Sequence, residues 1–170
     1  MLKLPKTSIN ADDLAREMAG GQLPTPAQSL HAAQLCDDRL DAEIAAGRSV
    51  MVETVLSSDK LIRRVEAAQS AGYRFSLVYV SLHDGALNVA RVAQRHAGGG
   101  HDVSAERVLD RRIRSHAHFA WFAQRADLVL VFDNTSVPVY AAGKADGAWD
   151  IAEVHRLPPD LVGTIRRLAE

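Results

Sequence analysis

Gly47-Arg48-Ser49-Val50-Met51-Val52-Glu53-Thr54-Val55-Leu56-Ser57 is the stretch whose reading decides the fold. Val50, Met51 and Val52 are consecutive apolar residues, two of them β-branched, and they follow a helical pattern that stops at Gly47. An unalternating run of this kind suits a strand covered on both faces, as in parallel sheets. In open parallel sheets ligands collect where strands end and loops begin, so Glu53, Thr54 and Ser57 occupy the place where chemistry is looked for. Glu53 is then either the entrance to a site or a carboxylate hydrogen-bonded to amides at a strand exit. Its position alone supports both.

Working outward, Lys6 to Ile9 reads as a short strand, and Asn10 is placed to cap a helix whose first turn carries Asp12 and Asp13. Gly20-Gly21 closes that helix. Thr25-Pro26 starts a second, with Leu30, Ala33, Leu40 and Ile44 on its apolar face up to Gly47. Ser57-Ser58-Asp59 is expected to cap a third, with Leu61, Ile62 and Val65 inward. Phe75 to Leu82 is an apolar strand, Gly85 to His96 a helix, and a long helix from about Ser104 leads to a strand over Asp127 to Phe132. Alternating strands and helices predict an α/β sheet with right-handed crossovers. Val137 to Tyr140 and Trp149 to Val154 flank the turn-rich Gly143 to Gly147 as a β-hairpin, and Pro158-Pro159-Asp160 opens a last helix. With no repeat or linker, residues 1–170 read as a single domain.

A net charge of −1 over 170 residues argues against nucleic acid held by bulk charge, so any anion site must be local. The lone Cys36 cannot form an internal disulfide and reads as a small core residue, which fits a reducing cytoplasm. No apolar run approaches the ~20 residues that cross a bilayer.

The strongest local charge lies between Arg91 and His118. Six arginines, Arg91, Arg95, Arg107, Arg111, Arg112 and Arg114, face Asp102, Glu106 and Asp110, with Gly98-Gly99-Gly100 dividing the stretch. A glycine loop flanked by guanidiniums suits a lid over phosphate. The alternative is a solvated helix face, with Val108, Leu109, Ala117 and Trp121 as the core stripe. His116 and His118 would point to different faces of a helix, so no metal site is assigned. Neither G-x-x-x-x-G-K-[ST] nor G-x-G-x-x-G after a strand occurs in these residues.

Taken in order, Ile9-Asn-Ala-Asp12-Asp-Leu-Ala15, Ala46-Gly-Arg-Ser49 with Val52-Glu-Thr-Val-Leu-Ser57, Gly99-Gly-His-Asp-Val103 with Arg111-Arg112 and Arg114-Ser115, and Asp133-Asn134 resemble the zeta-toxin family and its stand-alone predicted-ATPase relatives. The likeness runs from about residue 9 to 136, with the hairpin and last helix following over 137–170. It implies a P-loop-kinase-like, three-layer α/β/α fold with a mostly parallel sheet. Zeta toxins phosphorylate UDP-N-acetylglucosamine on a sugar hydroxyl using ATP and Mg²⁺. The resemblance therefore implies an ATP-dependent phosphotransferase acting on a small-molecule hydroxyl, such as that of a nucleotide sugar.

By position, Asp12 is implied as the base, with Arg111 and Arg112 as catalytic lid residues. Glu53, Thr54 and Ser57 are implied on the substrate side, and Arg95, Asp133 and Asn134 on the nucleotide side. The implied partners are a nucleotide, a small-molecule substrate, and a second copy or an antitoxin-like protein. Zeta toxins tend to carry an arginine near the position of Ser57, and Val55 and Ile113 replace more polar residues, so substrate identity is not carried over.

In that family a strand, the phosphate loop and a helix precede the segment matching Ile9, where this sequence has eight residues. The resemblance therefore implies a kinase domain whose first strand and phosphate loop are missing and whose transfer activity is impaired; the alternatives are a module that binds a nucleotide or phosphorylated ligand without turnover, and a partner-binding remnant that dimerises through the unfilled sheet position. The missing strand would lie between those of Ser49–Glu53 and Phe75–Leu82. Leaving its neighbours unpaired exposes about 5–10 backbone groups at about 1–3 kcal/mol each if buried, against a domain stability of about 5–15 kcal/mol. The expectation is that the strands re-pair, that a partner fills the space, or that the polypeptide begins upstream of Met1.

Overall fold

The computed structural model describes residues 5–97 and 103–170, with side chains of 96 and 97 excepted; the triglycine, His101 and Asp102 lie outside the described residues. The order of elements is β1 (Thr7–Ile9), α1 (Ala11–Met18), α2 (Pro26–Ala45), β2 (Val50–Val52), a 3-10 turn (Asp59–Leu61), α3 (Ile62–Ser70), β3 (Ser76–Ser81), α4 (Gly85–Ala97), α5 (Ala105–Arg125), β4 (Leu128–Asp133), β5 (Val139–Ala145), β6 (Ala148–Ile151), a 3-10 turn (Val154–Arg156) and α6 (Pro159–Ala169). This is an α/β, P-loop-kinase-like fold in which the strands that alternate with helices pair in parallel. The chain divides into two compact units, one from the described part of Met1–Val55 with that of Arg95–His101, the other from Leu56–Gln94 and the described part of Asp102–Glu170.

In the first unit β1 and β2 pair in parallel, Ile9 beside Val52. Asn10 caps α1 through its side-chain oxygen, and Thr25 and Gln28 form a reciprocal capping box on α2 behind Pro26. These caps satisfy amide donors that have no partner inside a helix. Leu14, Ala15, Ala32, Cys36 and Leu40 are buried on the inner faces of the two helices.

In the second unit β4 runs parallel to β3 and antiparallel to β5, and β5 to β6. The Asp127 amide donates to the Phe75 carbonyl (2.8 Å) while its carboxylate accepts the Phe75 amide (2.7 Å), which pins the entry of the parallel pair. Leu77, Tyr79, Val129 and Val131 form one sheet face, packed with Phe119 and Phe122 of α5 and Leu161 and Ile165 of α6. Lys144 of β5 donates to the carbonyls of Ala123 (2.7 Å) and Gln124 (2.9 Å), placing a cation on the orphan carbonyls at the end of α5. A Cβ on Gly143 would lie 2.7 Å from the Val129 carbonyl, so only glycine lets β5 approach β4 there.

Several expectations change. Met51 on β2 and Val78 and Val80 on β3 are exposed, the valines to 51% and 56%. These strands are therefore not covered on both faces; β3 alternates strictly between exposed and buried residues. The core stripe of α5 is Val108, Ser115, Phe119 and Phe122, spaced by three, four and seven, whereas Leu109 and Ala117 are exposed. Ser58 makes no side-chain cap; the chain enters α3 through the 3-10 turn instead. The hairpin turn tightens to Asp146-Gly147, because residues 143–145 continue β5. Among the described residues β2 pairs only with β1, and β3 only with β4, so these two strands do not re-pair with each other.

His116 on α5 is buried and its Nδ1 lies 2.6 Å from Asp160 Oδ2 at the start of α6. Burial pushes the imidazole below its usual range, outweighing the hydrogen bond and charge of Asp160 that push it up. Desolvation pushes the Asp160 carboxyl up, but the His116 hydrogen bond and charge and the Leu161 amide together hold it below its ordinary value. Nδ1–H therefore donates from a neutral ring to an ionised carboxylate.

Phe119 is fully buried and Ile113 is 68% exposed on the same helix. Phe119→Ala lowers the unfolding free energy by about 3–5 kcal/mol and Ile113→Ala changes it by less than about 0.5 kcal/mol, as read from urea denaturation. Because His116 resists protonation in the folded state, the unfolded chain takes up a proton first as the pH falls below about 6.5. Stability is expected to drop with acid from that point, and His116→Gln to flatten the slope of melting temperature against pH between about 7.5 and 5.5.

Candidate functional site

Two groups of polar residues stand at the C-terminal ends of the parallel strands, one in each unit. In the first, the Glu53 amide continues the β-ladder by donating to the Ile9 carbonyl at 3.0 Å. This sets Asn10 and Glu53 side by side just past the strands. The Asn10 carboxamide then works in two directions: its oxygen accepts the amides of Asp12 (2.8 Å) and Asp13 (3.3 Å), and its nitrogen donates to Glu53 Oε2 at 2.7 Å. A helix cap and a strand-end carboxylate are thereby locked together. Asp13 pairs with Arg16 at 3.0 Å, while Asp12, exposed in the first turn of α1, makes no ion pair among the described residues. Thr54 is exposed beyond Glu53, and Arg95 is exposed near the end of α4.

Leu56 follows with φ of 57°, a left-handed conformation that costs a non-glycine residue roughly 1–2 kcal/mol. Its side chain is buried with the second unit's core, and that burial holds the turn in place. Ser57 is half-buried just after it.

The second group is built on the ends of β3 and β4. Asp133, only 2% exposed, accepts the amide (3.0 Å) and hydroxyl of Thr135 on one oxygen and Arg156 Nε at 3.1 Å on the other. Desolvation pushes this carboxyl up, but the Thr135 bonds and the Arg156 guanidinium outweigh it and hold the group below the ordinary carboxylate range. The Thr135 hydroxyl also accepts the His83 amide at 2.9 Å, and His83 Nδ1 lies 2.9 Å from the Arg156 carbonyl. Arg91 of α4 donates to the Thr135 carbonyl at 3.1 Å. Arg112 of α5 donates to Asn88 Oδ1 (2.7 Å) and to the His83 carbonyl (3.1 Å).

Arg91 and Arg112 are thus oriented by neutral acceptors and have no carboxylate partner among the described residues. A guanidinium held this way keeps its full charge and spare donors for an anion, and its forked geometry matches phosphoryl oxygens. Asn134 continues the ladder by donating its amide to the Ser81 carbonyl at 2.8 Å, and Arg111 is half-buried on α5.

Of the residues singled out by sequence, Asp12, Glu53, Thr54 and Arg95 fall in one unit, and Ser57, Arg111, Arg112, Asp133 and Asn134 in the other. Asp133 is bound internally by Thr135 and Arg156. Asn10 was legible only as a cap. His83, Thr135 and Arg156 were not assigned, and Arg91 was named only within the arginine-rich stretch; for His83 the available signal was the polar His83-Asp84 directly after an apolar strand. Arg156 had none, being 23 residues from Asp133 in the chain. The guanidiniums fit the phosphates of a nucleotide. No group of three His, Cys, Asp or Glu side chains able to hold a metal ion is assembled among the described residues. No described helix is long and apolar enough to cross a membrane.

No curated protein and no solved structure matches the chain. A family model described as an AAA domain matches residues 1–119, which takes in both sets of strand ends apart from β4 and the residues after it. AAA-type P-loop domains generally bind ATP with Mg²⁺, and the match does not single out zeta toxins within them. With the model covering well over half of the sequence, the chain belongs to the AAA-domain family of P-loop NTPase-like proteins.

Proposed function

We propose that the chain is the kinase-like body of an ATP-dependent phosphotransferase acting on a small-molecule hydroxyl, with Asp12 as the base that receives the hydroxyl proton. The observation that carries this reading is the Asn10 carboxamide, which ties Glu53 to the helix start bearing Asp12 at the end of the β1/β2 pair. A base must stand within hydrogen-bond reach of the proton it takes, and a neighbouring carboxylate that accepts substrate hydroxyls can supply that placement. Glu53 has this role in the proposal, and Thr54 and Ser57 are assigned to the substrate with it. Arg111 and Arg112 stabilise the transferred phosphoryl group, and Arg95 and Asn134 contact the nucleotide. Zeta-toxin chemistry on a nucleotide sugar is the template for this proposal, and the toxin role with a neutralising partner in the cytoplasm belongs to it.

A second reading is favoured by one specific feature: Arg91 and Arg112 are held by neutral acceptors without carboxylate partners among the described residues. In that reading the chain binds a nucleotide or phosphorylated ligand and does not turn it over.

Calorimetric titration with ATP, together with phosphate transfer to a panel of nucleotide sugars, separates the two. The kinase reading expects transfer that falls by about 100-fold or more in Asp12→Asn, with ATP binding retained; undiminished transfer in that variant removes Asp12 from the mechanism. Saturable binding that weakens in Arg112→Ala, with no transfer by the parent chain, establishes the second reading, and absence of binding ends both. Asn10→Ala is expected to cost about 1 kcal/mol through the lost cap. In the kinase reading it also raises the KM for the acceptor, checked by steady-state kinetics beside urea unfolding.

A further inference from the structure

Arg112 sits in a seat made by the start of α4 and the end of the strand before it. Its Nη1 donates to Asn88 Oδ1 at 2.7 Å and its Nη2 to the His83 carbonyl at 3.1 Å. Gly85, one helical turn before Asn88, faces the same stretch of α5. A Cβ there would lie 2.8 Å from Leu109 Cδ2 and 3.6 Å from Arg112 Cδ. The missing side chain lets the first turn of α4 close on α5, and Asn88 reaches the guanidinium from that turn. Asn88 makes no other side-chain hydrogen bond among the described residues, and its carboxamide nitrogen is not a buried donor left without a partner. His83, Gly85, Asn88, Leu109 and Arg112 all belong to the second unit.

At this place the charge of the acceptor matters more than its shape. A carboxylate on the same side-chain stem offers the same oxygen to Arg112, but it forms an ion pair that cancels the cation. An amide oxygen orients the guanidinium and leaves its charge intact. With one donor of each terminal nitrogen spent on Asn88 and His83, each nitrogen keeps another. Such a pair of donors matches the oxygens of a phosphoryl group. We propose that Asn88 is the positioning residue of Arg112, and that a neutral amide here is what keeps the guanidinium available to the phosphates of a nucleotide. The assignment rests on Arg112 meeting that anion, as both proposed functions have it.

ATP affinity by calorimetric titration and stability by urea unfolding, both on the whole chain, separate this role from a merely structural contact. Asn88→Asp is expected to raise the Kd for ATP by about tenfold or more, because the new carboxylate neutralises Arg112 and repels the phosphates. Its urea midpoint stays unchanged or rises. Asn88→Ala lowers the midpoint and raises the Kd by a smaller factor, since the cation loses its guide and keeps its charge. Ala90→Asp puts the same charge at an exposed position of α4 and leaves the Kd within about twofold, because solvent and salt screen it. A structural contact gives the opposite ranking, with the isosteric Asn88→Asp the milder change in both measurements. The proposal is overturned by that ranking, by an Asn88→Asp variant that binds ATP as the wild type does or unfolds at lower urea, or by Ala90→Asp weakening binding as much as Asn88→Asp. A wild-type chain that does not bind ATP removes the anion from Arg112 and ends both the site and the role of Asn88; that result is told apart from the others because it appears before any substitution is made.

Discussion

Strand β4 is the constraint on which the second unit rests. It is hydrogen-bonded on both edges, to β3 in parallel and to β5 in antiparallel, and Val129, Val131 and Asp133 on one of its faces are fully buried. The aromatic stripe of α5 covers that face, and Lys144 ties the end of α5 back to β5. Because a one-residue slip would turn Val129 and Val131 outward and Leu130 inward, the register is strongly specified. The same register delivers Asp133 to the strand end as a buried carboxylate. Its charge is tolerated there because Thr135 and Arg156 satisfy both oxygens; without Arg156 the buried ion would be uncompensated.

From that anchored carboxylate the polar framework spreads outward through Thr135, His83 and Asn88 to Arg91 and Arg112. The arrangement separates two kinds of arginine. Arg156 is neutralised and structural, whereas Arg91 and Arg112 are steered by carbonyl and amide oxygens that do not cancel their charge. In the first unit Asn10 has a comparable steering role for Glu53, using one carboxamide to satisfy helix amides and orient a carboxylate. Both units therefore present pre-oriented charged groups at the carboxyl ends of parallel strands, where α/β folds gather ligands.

The division of the strands into a β1–β2 pair and a β3–β6 sheet bears on stability as well as function. Met51 on β2 and Val78 and Val80 on β3 are exposed. A parallel strand with two valines above half exposed is unusual, since such strands are normally covered on both faces.

Local signals in the sequence were enough for the order of elements, the Asn10 and Thr25 caps, the hairpin, the proline start of α6 and the α/β class. Each depends on residues a few positions apart, and capping, turn chemistry and periodicity act over that range. The strand-end placement of Glu53 was legible for the same reason. Tertiary structure alone decided which face of β3 is buried, which positions of α5 form its inner stripe, and that Asn10 reaches Glu53, Arg156 reaches Asp133 and His116 reaches Asp160. Those contacts join residues 43, 23 and 44 positions apart. Their partners are selected by how helices and strands pack in space, and no composition or spacing rule records that choice.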